Sequence, residues 1–187
     1  MLYVVKYKGK FGFIKPWTAV RDGKTYSQQF LTPSVIEGIE KKLFPDMLEY
    51  NGEIRKIARY KLRYSAIDVQ QEQIHPRGWA LNSKSRTMSR PRSVLLRGVM
   101  LDPELLLAFE NQQDAQTAAM QHICLCRNED VLLPEENVAA MDEQKFQAEK
   151  GFELRFGKSE SSFLVGYNRF NCQPMYGWLE IDGTPIL

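Results

Sequence analysis

TPSVIEGIEKKLF, running from Thr32 to Phe44, is the stretch on which the fold turns. Val35, Ile36, Ile39 and Leu43 recur at helical spacing and make one apolar stripe, so the run is predicted to be an amphipathic helix laid on a sheet. Thr32 carries a hydroxyl able to cap a free backbone N–H, and Pro33 suits the first helical position. Gly38 costs up to ~1 kcal/mol against alanine inside a helix, which points to close packing on a sheet or backbone.

N-terminal to this helix, LYVVKYKG (Leu2–Gly9) reads as a strand, and FIKPWTAVRDGKTYSQQF as a loop with a turn at Asp22-Gly23. C-terminal to it, beyond a turn at Asn51-Gly52, a long strand is expected from about Lys56 to Val69, with Tyr60, Leu62 and Tyr64 on one face. Gln70–Arg92 has no apolar period and reads as an irregular excursion. Ser93–Met100 reads as a strand, ELLLAFE as a strand or short helix, QQDAQTAAMQ as a helix and HICLCRN as a strand. PEENVAAMDEQKFQAEKG (Pro134–Gly151) reads as a second long helix stopped by its glycine, SSFLVGYNRF (Ser161–Phe170) as a late strand, and the tail MYGWLEIDGTPIL as a short hairpin. Strand, helix, strand, excursion, strand, helix, strand is the β-α-β-β-α-β order. The expectation is an α+β, ferredoxin-like fold in one domain over residues 1–187. Such a unit covers one sheet face with helices and leaves the other, or the loops beside it, for RNA.

The chain is 43% hydrophobic and 26% charged, an ordinary globular composition. No apolar run is long enough to cross a bilayer, and MLYVVKYKGKFGF is too charged for a signal peptide. Three cysteines do not make a disulfide framework, so a reducing cytoplasm is expected. The net charge of +2 hides a polarity. Residues 1–97 hold 19 Lys/Arg against 8 Asp/Glu, about +11, and residues 98–187 hold 6 against 15, about −9. A basic half points to a polyanionic partner; the alternative is a fold that mixes the charges on a solvated surface.

The positive charge concentrates in RGWALNSKSRTMSRPRSVLLRG (Arg77–Gly98). It carries Arg77, Lys84, Arg86, Arg90, Arg92 and Arg97 and no acidic residue. Arginine forks onto phosphate with two N–H donors and lysine adds a point charge. Ser83, Ser85, Thr87 and Ser89 offer hydroxyls, and Trp79 offers a ring on which an unpaired base can stack. The alternative is a solvated loop. Arg55, Lys56, Arg59, Lys61 and Arg63 form a second basic run, read either as the other wall of one continuous groove or as the polar face of an edge strand. Gly157 and Lys158, near Gly151 and Gly166, would let backbone amides approach an anionic chain, though no nucleotide-binding fingerprint is present and a plain turn is the alternative.

Catalytic signals are sparse. His75 with Tyr26 or Tyr64 is the one acid–base set a metal-independent ribonuclease could use. His122, Cys124 and Cys126 alternate on a predicted strand but lack a fourth ligand at zinc-site spacing, so no metal and no other cofactor is expected.

Three segments carry a family resemblance. FLTPSVIEGIEKKLF after the opening strand, SRPRSVLLRGVML, and KGFELRFG followed by FLVGYNRF resemble, in order, landmarks of the Cas-five family. These are the RAMP-type subunits that cap the guide 5′ end in CRISPR Cascade complexes. The resemblance implies a ferredoxin-like RAMP subunit that binds the crRNA 5′ handle in an antiviral-defence ribonucleoprotein. It implies a thumb between the second and third core strands, at about residues 69–92, pressing on the guide–target DNA duplex beside its first base pairs. A backbone subunit and a large subunit are the implied protein partners, and a short elaboration is implied at about residues 171–187. Some branches cleave the precursor RNA with Tyr, Lys and His. Here Gln28 and Phe30 stand near the expected tyrosine position, Tyr26 lies further back, and Arg92 replaces the expected histidine. Binding without cleavage is therefore the expectation. A metal-independent endoribonuclease and a protein-interaction module without RNA are the alternatives.

Overall fold

The structure is a computed structural model that describes residues 1–16, 23–50, 52–74, 78–90, 92–167 and 172–184. In chain order its elements are β1 (Leu2–Lys8), β2 (Phe11–Gly12), β3 (Lys24–Tyr26), α1 (Pro33–Leu43), a 3-10 turn (Pro45–Glu49), β4 (Ile57–Arg63), β5 (Ala66–Ile74), β6 (Ala80–Asn82), β7 (Thr87–Ser89), β8 (Ser93–Leu101), β9 (Glu104–Phe109), α2 (Gln112–Ala119), β10 (Ile123–Cys124), β11 (Val131–Pro134), β12 (Ala139–Met141), α3 (Glu143–Ala148), β13 (Gly151–Phe156), β14 (Phe163–Tyr167) and β15 (Pro174–Asp182). Helices and mostly antiparallel strands make it an α+β molecule.

The main sheet runs β10-β11-β1-β9-β4-β13-β15-β14, with β12 also pairing β1. Alternation along its central strands builds two unlike faces. Val5, Leu107 and Tyr60 lie in one register row and Tyr7, Leu105 and Leu62 in the next. These six pack with Ile36, Ile39 and Leu43 of α1 and with Ala115 and Ala118 of α2 into the principal core. Full burial of each aliphatic side chain there contributes about 1.5–3 kcal/mol. Tyr64 joins the same core and stacks on Phe152 with ring centroids 6.0 Å apart. The opposite face carries Leu2, Val4, Leu106 and Ala108, on which Phe146 of α3 is seated.

A second sheet stands off the first, with β8 as its axis. β5 pairs with β8 antiparallel from Ala66↔Leu101 to Ile74↔Ser93, while β3 lies parallel on its other side and β2 antiparallel at its base. The nine-residue ladder is about 30 Å long. The β6–β7 hairpin continues in the same excursion, with Leu81 opposite Met88.

Several expectations are corrected. The long strand from Lys56 breaks at Tyr64–Ser65, where the chain leaves the main sheet for the ribbon. Gln70–Arg92 is not irregular, because β5, β6 and β7 lie within it. Ser93–Met100 is a strand as expected, but it pairs in the ribbon, not the main sheet, where ELLLAFE, read as strand or short helix, supplies β9. The helix over Pro134–Gly151 shrinks to α3: β1 presents Leu2–Val4 as a pairing edge that recruits Ala139–Met141, and Asp142 then caps Lys145 N at 2.7 Å. The tail is not a separate hairpin, since β15 pairs with both β13 and β14. Thr32 stands at the N-cap of α1, but its hydroxyl meets Ser34 Oγ at 3.1 Å instead of a backbone N–H. Gly38 faces open space, so close packing does not explain it.

Candidate nucleic-acid interface

The ribbon tip is built locally. Asn82 Oδ1 accepts hydrogen bonds from Lys84 N at 3.1 Å and Ser85 N at 3.3 Å, an Asx-type turn that lets β6 reverse into β7. Arg86 takes a left-handed φ of 51° to complete it. All of residues 78–90, and Arg92, are exposed. Trp79 is 56% exposed, and the Arg90 guanidinium lies 4.9 Å from its ring. The only ion pair on the ribbon among the described residues is Arg97–Glu72, at 3.0 Å. Lys84, Arg86, Arg90 and Arg92 therefore stand on one arm with no carboxylate among the described residues paired to them. His75 and Arg77 lie outside the described residues.

The other basic residues are placed differently. Arg97 is in the stem, paired with Glu72 and lying over the Phe13 ring. Arg55 pairs with Glu53 and stacks 3.9 Å from the Tyr50 ring; Lys56 pairs with Asp114 at 2.8 Å. The backbone amides of Arg55, Lys56 and Ile57 are held by Glu40, whose Oε1 accepts at 3.1, 2.6 and 2.9 Å. Arg59 donates to Glu153 and contacts Glu143 and Gln147. Lys61, fully buried, donates to Asp182 Oδ2 and to the carbonyls of Gln147 and Glu149. Arg63 bridges Glu104 and Glu149.

This corrects both readings of the second basic run. β4 lies between β9 and β13, so it is not an edge strand. Nor is its polar face an open cationic wall, because carboxylates of the acidic half and α3 occupy it. Glu104 bears the mark of this. Burial alone would raise its pKa, but the bonds from Arg63 and Lys8 outweigh burial and hold it below its ordinary value.

Gly157 and Lys158 sit in the β13–β14 turn. Gly157 N donates to Tyr176 O at 3.0 Å, Ser162 Oγ accepts from Ser159 N at 2.6 Å, and Lys158 lies over the Tyr176 ring. The turn is closed on itself. Tyr64 is buried and its hydroxyl is pushed up by that burial, the wrong direction for a general base. Tyr26 is 49% exposed at the base of the ribbon, beside β8. His122 and Cys126 are exposed, and no three metal-ligating side chains converge among the described residues. A cavity of about 480 Å³ at the end of β1 mixes Lys8 and Lys10 with Asp102, Glu104 and Glu129, so it offers an anionic strand no uniform field. No described helix is long and apolar enough to cross a membrane.

Sequence reading missed the seating of Tyr26 on Gly98, a contact made by the nonlocal pairing of β3 with β8. Its one available signal was a glycine inside the strand-like run VLLRGVML, which marks close approach of another group.

No family model matches the sequence, and a search of curated proteins finds no match. Among solved structures, the fold is similar to a chain described as "CRISPR RNA-guided surveillance complex", with a TM-score of 0.51 at 11% identity, covering 100% of this chain and 91% of that one.

Proposed function

From that shared fold and the basic, exposed tip of the ribbon, we propose that this chain is a guide-RNA-binding subunit of a CRISPR interference ribonucleoprotein, holding the 5′ handle of the crRNA without cleaving it. The observation that carries the proposal is the run of exposed cations Lys84, Arg86, Arg90 and Arg92, with Arg90 over the exposed Trp79 ring, on a ribbon whose one carboxylate-bound arginine among the described residues is in the stem. Cations without internal partners bind phosphates at little desolvation cost, and an exposed tryptophan stacks on bases. We further read β1, α1, β4, β9, α2 and β11 as a ferredoxin-like core, on the strand order β11-β1-β9-β4 and the shared helix face. The ribbon leaves between its second and third strands, where a thumb belongs. On this reading the thumb meets the target DNA beside the first guide base pairs, and a backbone subunit and a large subunit flank it.

The test is a gel shift of the full chain with a repeat-derived 5′-handle RNA and a scrambled control, across a salt series. Replacing Arg86, Arg90 and Arg92 by alanine is expected to make the slope of log K against log salt shallower by about 2, three phosphates at ~0.7 each for a single strand. Equal binding of both RNAs, or an unchanged slope, sinks the proposal. Release of a discrete RNA fragment in EDTA favours the endoribonuclease. Tight protein capture without RNA binding favours the interaction module.

A further inference from the structure

The base of the ribbon carries a second feature, separate from the charged tip. β3, β8 and β5 lie side by side in register: Tyr26, Gly98 and Val69 form one row, and Lys24, Leu96 and Gln71 the next of the same parity. Alternation puts these side chains on one face, with Gln73 and Val94 in the following row. The charged groups of β5 and β8 fall on the other face, where Glu72 is bound by Arg97. What remains, among the described residues, is a carboxylate-free strip of one cation, two amides, aliphatic groups and one aromatic ring. Its members are open: Tyr26 is 49%, Val69 42% and Val94 55% exposed, and Lys24, Gln71 and Gln73 are exposed too.

Tyr26 is held in a specific pose. A Cβ at Gly98 would stand 2.1 Å from Tyr26 Cδ1, 2.8 Å from Cε1 and 2.9 Å from Cγ, so the ring rests on bare backbone. Ser27 N donates to Gly98 O at 2.7 Å, pinning the strand beneath the ring. Lys24 Nζ lies 5.2 Å from the ring centroid. The inner side of the ring is fixed against the ribbon, and half of the side chain still meets solvent. A flat aromatic with an adjacent ammonium is what an unpaired nucleobase and its phosphate require.

We propose that Tyr26 is a stacking platform for one unpaired nucleobase of the bound RNA, with Lys24 on an adjoining phosphate and Gln71 within the same strip to meet base edges. The inference deepens the proposed function and rests on it. It gives Tyr26 a binding role through its ring, in place of the acid–base role through its hydroxyl weighed from the sequence.

The test uses the full chain and 5′-handle RNAs carrying 2-aminopurine at successive positions. In the native protein one position is expected to show strong fluorescence quenching. Tyr26→Leu, which keeps an apolar side chain on Gly98, is expected to relieve that quenching and weaken binding on the order of tenfold. Tyr26→Phe should retain both properties. Lys24→Gln leaves the ring in place and should weaken binding severalfold with a salt slope shallower by about 0.7; it serves even if Tyr26→Leu misfolds in a thermal melt. Quenching at no position, quenching unchanged in Tyr26→Leu, a native salt slope in Lys24→Gln, or Tyr26→Phe as defective as Tyr26→Leu overturns the inference. If tip variants lose RNA while Tyr26→Leu and Lys24→Gln do not, this inference alone fails. If the native protein binds no RNA, the proposed function falls with it.

Discussion

Lys61 Nζ donates to Asp182 Oδ2 at 2.7 Å across 121 residues of sequence, and the lysine has no solvent exposure. Its other two hydrogen bonds go to backbone carbonyls of Gln147 and Glu149. A buried ammonium is tolerated only when its donors are satisfied, and here all three are. Replacing Asp182 by alanine leaves a buried cation short of its counter-charge and is expected to destabilise the fold by about 3–5 kcal/mol. Lys61→Met, which fills the space without a charge, should cost far less. Chemical denaturation of the two variants checks the ordering.

Arg63 and Arg86 are both arginines of the basic half, yet their substitutions should separate cleanly. Arg63→Ala removes a group bound to Glu104 and Glu149 and is expected to lower stability by a few kcal/mol while leaving the salt slope of RNA binding unchanged. Arg86→Ala touches an exposed turn; it should leave the melting temperature within a degree or two and flatten the slope. Paired melts and binding titrations of both variants provide the comparison.

Glu104 predicts an acid-side dependence. Its folded pKa is lowered, so the stability it lends is complete above the unfolded glutamate value of about 4.3 and is lost as pH falls through the lower folded value. Glu104→Gln should flatten the stability profile in that window and leave the profile between pH 6 and 8 parallel to the native one. Urea midpoints measured from pH 2.5 to 8 would reveal it.

Glu40 is 1% exposed and gathers the amides of Arg55, Lys56 and Ile57 at the entrance to β4. Glu40→Ala deprives three backbone donors of their acceptor and is expected to cost about 3 kcal/mol or more. Glu40→Gln, keeping one acceptor oxygen, should be milder. Hydrogen exchange at these three amides should accelerate in both variants, most in the alanine one.

Gly98→Ala places a methyl group inside the Tyr26 ring. Overpacking of this kind costs about 1–3 kcal/mol, and the displaced ring should lose the 2-aminopurine quenching expected of the native protein. A variant that melts lower yet quenches fully would detach the ring's pose from base stacking.

Local patterns foretold much of the fold. The apolar stripe from Val35 to Leu43 made α1 legible, and β1 and β8 were visible as the strand-like runs LYVVKYK and SVLLRGVML. The alternation of Tyr60, Leu62 and Tyr64 fixed which face of β4 turns inward. What local pattern could not show was partnership. Lys56, Arg59, Lys61 and Arg63 have the same composition whether they face water or Asp114, Glu153, Asp182 and Glu104, carboxylates 41 to 121 residues away. Ala139–Met141 fell inside a run read as helical from the stopping glycine Gly151, but the open edge of β1 recruited it as a strand. The tip residues could be singled out from charge and composition alone, without knowledge of the ribbon, whereas the Tyr26 platform needed the pairing of β3 with β8.

The pairing of β15 with β13, and of Asp182 with Lys61, has a consequence for biogenesis. At roughly 5–20 residues per second, a ribosome takes about 6–24 seconds to travel from codon 61 to codon 182. Until β13 is made, β4 is the outer strand of β11-β1-β9-β4, and through the whole interval the Lys61 ammonium lacks its counterion. Burial of Lys61 beneath β13 and α3 is thereby tied to late synthesis, and a chain truncated shortly before residue 182 would have to bury that ammonium without its counter-charge.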